Sequence, residues 1–347
     1  MVAITHWIDD QEPHDIVVSN LEPILTFLTD RPVHGHYEAF EGIPNECLRS
    51  ADIGVFDPRL LGYKELKGVL PPSRTVLSRG PFIVTRSLDR HARAPTMALT
   101  FTDIGVDDLP LMLTLARSLS VVGLTATFFI TPGKTGIPPT YHEEIVSLQE
   151  AGMEFGLSGL THLNPQHDGR YSWNEFYGLP EDEVLERLER GKALLEAAGL
   201  HVTGTRSPEL QSNAAVRAAE VRAGFTYGST YLVEGCALPF QRSDGLVELP
   251  VAPYDHLLGY RTKVPEERER AQRAFLDDVR STLRQRGTYV ANLHLYSFDA
   301  EHLPIEVLTE ATAMVRSMGG EVSTLQLIVQ DYQERVRART VAEAPVT

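Results

Sequence analysis

From residue 96 onward, short apolar runs alternate with amphipathic stretches along most of the chain. The first run, at 96–101, is followed by leucines at helical spacing in 107–122 and then by a second apolar run at 125–130. Strands that alternate with helices in this way form mainly parallel sheets, so the pattern predicts an α/β fold. The number of strand-then-helix steps favours a distorted (β/α) barrel, and the absence of a Gly-x-Gly-x-x-Gly sequence after the first strand disfavours a dinucleotide-binding sheet.

The later elements follow the same alternation. The predicted strands are 96–101, 125–130, 153–157, 201–205, 225–227, 246–251, 289–294 and 321–325, and the predicted helices are 107–122, 141–151, 181–198, 214–223, 266–285, 305–318 and 326–336. Glycine follows directly after several of these helices, as at Gly152 and Gly199, where it is the usual stop. These elements place a barrel domain at 95–336 and a flexible tail at 337–347.

Residues 1–94 do not share this alternation. They are rich in proline, histidine and acidic residues, with one plausible helix near 21–28 and one strand at 82–85. We therefore expect a partly irregular N-terminal extension.

The charge balance restricts the partners. Acidic residues outnumber basic ones by 47 to 32, a formal net charge of −15. Such a field repels nucleic-acid phosphates and anionic lipid headgroups, so neither nucleic acid nor membrane is an expected partner. A membrane span needs about 18 uncharged apolar residues, and no stretch of the sequence approaches this length. The first residues lack the basic segment and apolar run of a secretory signal. We expect a cytoplasmic protein.

Polar side chains follow the predicted strands at positions where a barrel carries its chemistry. In parallel barrels the loops after the carboxyl ends of the strands meet at one mouth. Asp103, His162, Arg206 and His294 all follow predicted strands. An acid, two imidazoles and a guanidinium in one pocket predict a hydrolytic site.

Five short motifs occur in a characteristic order: Leu-Thr-Phe-Thr-Asp at 99–103, Gly-Met-Glu-Phe-Gly at 152–156 with Ser158 to His162, Arg-Ser-Pro at 206–208, Gly-Leu-Val-Glu-Leu-Pro-Val at 245–251 and Leu-His at 293–294. Together they resemble the polysaccharide deacetylase family, whose domain is the NodB-type distorted barrel. The resemblance implies a hydrolase of a non-peptide carbon–nitrogen bond. It would remove an N-acetyl or other acyl group from a carbohydrate-derived or other small polar substrate.

The sequence departs from the family pattern at Thr102, Ser158 and Ile104, and the family has glycine at the position of Ile104. The resemblance aligns the family's catalytic-base aspartate with Thr102, its metal-binding aspartate with Asp103, and its two histidine ligands with Ser158 and His162. It therefore implies one divalent metal, zinc before others, held by Asp103 and His162. Catalytic zinc requires three protein ligands and an open position, and serine is a poor replacement for imidazole.

A third ligand and a base must then come from elsewhere. By loop position alone, the candidate third ligands are His167, Asp168, Asp107, His256 and Glu209. The candidate bases are Glu209 and Asp299. In a metal-free version Asp103 activates water directly, His294 protonates the leaving amine, and Arg206 orients a carboxylate or polarises a carbonyl. The predicted substrate-binding residues are Thr102, Ser158, Pro208, Glu209 and Tyr296.

Each of these residues also has a structural interpretation. His162 can be a hydrogen-bonded histidine, Asp103 a helix cap and Arg206 a member of an ion pair. The substitutions at Thr102 and Ser158 favour a rival class, a catalytically inactive NodB-fold protein that binds a carbohydrate or a protein partner. The leading prediction remains an amide hydrolase with a remodelled site.

Overall fold

The computed structural model describes residues 94–342 apart from 165–173, 211–212, 233–237, 243, 263 and 285–286; before residue 94 it describes Arg59 and five strands. These strands are β1 (Val17–Ser19), β2 (Val33–His34), β3 (Ile53–Phe56), β4 (Ser73–Arg79) and β5 (Phe82–Ser87). They form one mixed sheet in the order β2-β1-β3-β5-β4. The predicted strand at 82–85 is thus confirmed as β5, and the predicted helix near 21–28 lies outside the described residues.

The barrel strands follow in two further sheets. They are β6 (Thr96–Ala98), β7 (Thr100–Ile104), β8 (Thr127–Ile130), β9 (Glu154–Leu157), β10 (Gly204–Thr205), β11 (Tyr227–Gly228), β12 (Phe240–Gln241), β13 (Val247–Glu248), β14 (Thr288–Val290), β15 (Leu293–His294) and β16 (Glu321–Val322). The larger sheet has the order β12-β13-β11-β10-β9-β8-β7-β15, and the smaller one β14-β6-β16. All of these pairs are parallel except β12 with β13.

The two sheets share chain segments, which curls them into a distorted barrel. β6 continues into β7 and β14 into β15, and these two segments pair side by side. On the far side, the backbone N–H of Ala252, just beyond β13, donates to the carbonyl of Val290 in β14 (3.0 Å). This bond joins the segment after β13 in the larger sheet to β14 in the smaller sheet. The predicted α/β distorted barrel is confirmed.

Seven α-helices of the described chain connect these strands: α1 (Leu109–Val121), α2 (His142–Glu150), α3 (Glu181–Ala197), α4 (Ala214–Arg222), α5 (Pro265–Arg284), α6 (Ile305–Ser317) and α7 (Leu325–Ala342). Most bounds agree with the sequence pattern to within two residues. The exception is α7, which continues to Ala342, beyond the predicted start of the tail. No helix in the described part of the chain is both long and apolar enough to cross a membrane.

Aromatic rings from neighbouring strands fill the centre of the core. Phe101, Phe128 and Phe155 are register partners on β7, β8 and β9 and are fully buried. Their ring centroids lie 5.2 Å and 5.8 Å apart in stacked arrangements. Because side chains alternate along a strand, this packing fixes which residues at the strand ends face the mouth.

The last helix is fastened to the first residues of two central strands. The backbone N–H of Leu325 donates to the Thr127 hydroxyl (3.1 Å), and that of Gln326 donates to Oε2 of Glu154 (3.0 Å). The Thr127 hydroxyl donates to the same carboxylate oxygen (2.8 Å), and the hydroxyl of Tyr227 donates to the other. Burial raises the pKa of Glu154 despite these bonds. The side chain therefore caps the start of α7 from inside the barrel.

Candidate active site

A cavity of about 400 Å³ opens at the carboxyl ends of the parallel strands. It is lined by Thr102, Asp103, Ser207, Glu209, Leu210, Thr230, Tyr231, Leu232, Asn292 and His294. The strand-end positions predicted from the sequence therefore supply much of its wall, as the geometry of a parallel barrel requires.

Asp103 lies at the centre of a polar cluster beside this cavity. Its Oδ1 is 3.0 Å from Nε2 of His162 and accepts hydrogen bonds from the hydroxyls of Thr102 (3.2 Å) and Ser158 (3.3 Å). Its Oδ2 is 3.5 Å from Nε2 of His294. One carboxylate is thus flanked by two imidazoles and two hydroxyls.

The charges of Asp103 and His162 support each other. Burial alone would raise the pKa of Asp103, but the contact with His162 and the charges of both imidazoles outweigh it, so the pKa is lowered. Burial likewise disfavours the protonated ring of His162, yet the contact with Asp103 prevails and raises the pKa of His162. The contact is close but poorly aligned, because Nε2 of His162 makes no hydrogen bond of good geometry with any described residue.

A second carboxylate holds His294. Nδ1 of His294 lies 2.8 Å from Oδ2 of Asp255, whose side chain is almost fully buried. This bond places a proton on Nδ1 and leaves Nε2 directed at Asp103. The ring of Tyr296 lies beside that of His294, with centroids 5.0 Å apart. Sequence reasoning missed Asp255, although it lies in the loop after β13, where the same strand-end rule applies.

A third carboxylate, also missed, shapes the loop that carries His162. Oε2 of the fully buried Glu175 accepts three consecutive backbone N–H groups, from Leu160 (2.9 Å), Thr161 (3.0 Å) and His162 (2.8 Å). Its Oε1 accepts from Nη1 of Arg187 (2.8 Å). Such a turn of adjacent N–H groups resembles an anion-binding nest, here filled by a side chain of the same protein. Glu175 lies in no sequence motif that would predict that it binds these backbone N–H groups.

Left-handed backbone is concentrated at this site. Among the described residues, the non-glycine residues with positive φ are Asp103 (57°), His162 (60°), Glu209 (52°) and Leu210 (53°). Aspartate and histidine tolerate this conformation better than most residues, whereas for a side chain such as that of Leu210 it costs about 1–2 kcal/mol. Because strained backbone persists where the surroundings impose it, this clustering makes the cavity the candidate functional site.

The predicted substrate contact of Arg206 requires correction. Its guanidinium is fully buried beneath the cavity, where Nε and Nη2 donate to the carbonyl and hydroxyl of Ser229 (both 2.9 Å) and Nη1 donates to the hydroxyl of Thr100 (2.8 Å). It packs over the ring of Phe129, 4.5 Å from the centroid. Burial lowers the pKa of Arg206 to about 10. Arg206 therefore braces β7 against β11 rather than lining the cavity.

The predicted substrate-binding residues divide into two groups. Thr102 and Glu209 line the cavity, and Tyr296 is half exposed beside His294. Ser158 and Pro208 are buried, and neither residue lines the cavity. Ser158 contacts Asp103 instead.

The described residues do not fit a zinc centre. Asp103 and His162 are close enough to share an ion, but the described chain contains no group of three His, Cys, Asp or Glu side chains able to hold one. Ser158 uses its hydroxyl to donate to Asp103.

The other predicted ligands and bases do not complete the shell. His256 pairs with Asp278 (3.2 Å) and Asp299 with His302 (2.9 Å), and Asp107 lies outside the cavity wall. Glu209 lines the cavity without joining a metal-binding group, and His167 and Asp168 lie outside the described residues.

The protein is thus a distorted α/β barrel with a cluster of carboxylates and imidazoles at the carboxyl ends of its strands. Residues 89–228 match the model of the family described as Polysaccharide deacetylase. The match covers the first three of the five motifs, and the resemblance inferred from them is confirmed.

Several solved structures are similar to this chain. A protein from Mycobacterium smegmatis assigned to the polysaccharide deacetylases is 23% identical with a TM-score of 0.50, over 73% of this chain and 93% of the other. A CE4 family pseudoenzyme from Bacillus anthracis is 15% identical (TM-score 0.45; 69% and 66% covered). A family 4 acetyl xylan esterase from Clostridium thermocellum in complex with a cobalt ion is 17% identical (TM-score 0.43; 68% and 90% covered). The first likeness shows the fold. No curated protein matches the sequence.

Proposed function

We propose that the protein hydrolyses the amide bond of an N-acylated, sugar-derived or other small polar substrate, with Asp103 as base and His294 as acid. The match of residues 89–228 to the polysaccharide deacetylase model supports a deacetylase-type hydrolase. The observation that carries the proposal is the chain of contacts from Asp255 through His294 to Asp103 at the edge of the cavity.

The two groups suit opposite proton transfers. A base must be ionised before it accepts a proton from water, and the lowered pKa of Asp103 favours this form. The water oxygen then bonds to the acyl carbon. The proton taken up by Asp103 passes to Nε2 of His294, 3.5 Å away, and from there to the leaving nitrogen as the carbon–nitrogen bond breaks, while Asp255 holds Nδ1. The products are a carboxylic acid and an amine.

His162 has an electrostatic role in this scheme. Contact with Asp103 raises the pKa of His162, which favours the protonated ring 3.0 Å from the carboxylate. The same contact lowers the pKa of Asp103, against the burial that favours its neutral form. The strained loops then hold acid, base and cavity in a fixed arrangement.

A second candidate is an inactive protein that binds its ligand in the same cavity. Thr102 and Ser158 favour it, since both hydroxyls donate to Asp103 and reduce its freedom to act on water. Under this candidate, the ligand binds but its acyl group stays in place.

Acetate release from the methyl glycoside of N-acetylglucosamine and from N-acetylated oligosaccharides tests the proposal. We expect Asp103→Asn and His294→Ala each to lower kcat by about 10²–10⁴-fold, the usual range for a general base or acid. Asp299→Asn, an exposed carboxylate paired only within its own loop, is the matched control.

Metal dependence separates the versions of the mechanism. Metal analysis of the protein purified without chelator, together with assays in EDTA, is expected to show no bound metal and unchanged turnover. Metal at one equivalent that disappears in His162→Ala, with activity lost in EDTA, would contradict the metal-free mechanism. Ligand-induced stabilisation without any acetate release would instead favour the binding protein.

A further inference from the structure

Three carboxylates act on one exposed aromatic ring at the rim of the cavity. The ring of Tyr296 lies beside that of His294, a cavity-lining residue, with centroids 5.0 Å apart, and Tyr296 is 55% exposed. Partial burial, followed by the charges of Asp103, Asp255 and Glu209, raises the pKa of Tyr296 to about 12. Negative charge nearby opposes ionisation of a phenol. The three carboxylates therefore create a negative potential around this ring.

Glu209 supplies the carboxylate of the three that a ligand can reach most readily. It lines the cavity and is exposed, and it forms no hydrogen bond or ion pair with any described residue. Its charge acts on the ring of His162 as well as on Tyr296, and these two residues follow different strands. The carboxylate is therefore directed towards the mouth of the cavity.

The other two carboxylates already have partners inside the site. Asp103 lies 3.0 Å from Nε2 of His162, and Asp255 lies 2.8 Å from Nδ1 of His294. The guanidinium of Arg206 is fully buried beneath the cavity. Within the part of the chain that the structure describes, the rim carboxylate is thus left without a positively charged partner.

We propose that the rim formed by Glu209 and Tyr296 binds a free ammonium group carried by the same substrate molecule as the acyl group. A cation is attracted both by the carboxylates and by the face of the aromatic ring. A neutral hydroxyl group would leave the charge of Glu209 unmatched.

The inference rests on the proposed function and deepens it, because it specifies the substrate class. The substrate is an N-acylated amine with a second, unacylated amino group. N-acylated diamines and partly deacylated amino-sugar oligomers share this chemistry.

Matched probes of different charge test this selection by binding alone. N-acetylputrescine carries the ammonium group, and acetamidobutanol and acetamidobutyrate carry a hydroxyl or a carboxylate in its place. For the amino-sugar source, mono-N-acetylchitobiose is compared with di-N-acetylchitobiose. Calorimetry at slightly acidic pH, where the amines are protonated, is expected to show about tenfold tighter binding of one ammonium probe than of its neutral counterpart.

The pair with the stronger preference identifies the source of the ammonium group. Equal affinities within both pairs, or no binding of either ammonium probe, would overturn the proposal.

Two variants assign the preference to the rim. Exposed ion pairs and cation–aromatic contacts each change affinity by a small factor, so Glu209→Gln and Tyr296→Leu should each lower the ratio of ammonium to neutral affinity about threefold. Salt screens exposed charges, so added salt should reduce this ratio more in the wild-type protein than in Glu209→Gln.

Glu310→Gln is the matched control. Glu310 is exposed on α6 and lies outside the cavity wall, so this variant should keep the wild-type ratio. An unchanged ratio in Glu209→Gln, or an equal loss in Glu310→Gln, would contradict the role of the rim.

Acetate release from the same probes separates this inference from the proposed function. Selective binding of an ammonium probe without release would contradict the hydrolase and support the ammonium site. Release without a charge preference in binding would contradict the ammonium site and support the hydrolase.

Discussion

Substitution of Glu175 tests whether its carboxylate holds the loop that carries His162. One of its oxygens accepts three backbone N–H groups at 2.8–3.0 Å, and the other accepts from Arg187 at 2.8 Å. Glu175→Ala would leave these buried donors unpaired. Breaking a buried ion pair by removing one partner costs about 3–5 kcal/mol, a large part of the about 5–15 kcal/mol that keeps a domain folded.

Glu175→Gln is therefore the more informative change. The amide keeps one oxygen for the N–H groups but loses the charge and presents an NH₂ group to Arg187. Hydrogen bonds to charged groups contribute about 1.5–3 kcal/mol against about 1 kcal/mol for neutral ones, so we expect a loss of about 1–3 kcal/mol. Chemical denaturation measures the change, and Glu189→Gln on the exposed face of α3 is the control.

Hydrogen exchange locates the effect. In Glu175→Gln the amides of Leu160, Thr161 and His162 should exchange faster than in the wild-type protein by more than the global loss of stability accounts for. The reasoning is refuted if the free energy of unfolding stays within about 0.5 kcal/mol of wild type, the range of ordinary surface changes, and the three amides keep their protection.

Three further predictions follow from charge and backbone conformation. Asp103→Asn removes the charge that raises the pKa of His162, so the pKa of His162 measured by NMR should fall. In the wild-type protein, the contribution of the protonated His162 ring to the free energy of unfolding is complete below pH 6.5 and is lost as pH rises through the pKa of the folded state. Burial raises the pKa of Glu220 from 4.5 to about 7 despite its ion pair with Arg242, so the free energy of unfolding should fall as pH rises across that interval. Denaturation series at several pH values should show a flatter slope for Glu220→Gln. Leu210→Gly relieves a positive φ and should raise the free energy of unfolding by up to about 1 kcal/mol, whereas a loss of stability would show that the leucine side chain outweighs the strain.

The sequence predicted the barrel well because its elements depend on local pattern. Apolar runs identified the central strands, and the strand-end rule placed Asp103, Thr102 and His294 at one cavity. Of the N-terminal sheet only the strand at 82–85 was predicted, because the other strands lie in a segment rich in proline and histidine, where alternation is hard to recognise.

The parts of the site that were missed depend on tertiary contacts. Asp255 and Glu175 act by accepting bonds from residues distant in sequence, and neither stands in a motif. Arg206 was assigned to the mouth because it follows a strand, but only packing decides that its guanidinium points inward onto Phe129. A strand-end rule predicts position along the strand and leaves the direction of a long side chain undetermined.

The attachment of the last helix has a consequence for how the chain is made. Thr127 and Glu154 stand at the start of the two central strands, but their partners Leu325 and Gln326 are added to the growing chain more than 170 residues after Glu154. During synthesis Glu154 is therefore made long before the backbone N–H groups that cap it. Contacts of such long sequence separation form late and slowly. A chain that ends before residue 325 would lack both donors and leave the buried carboxylate of Glu154 without this cap.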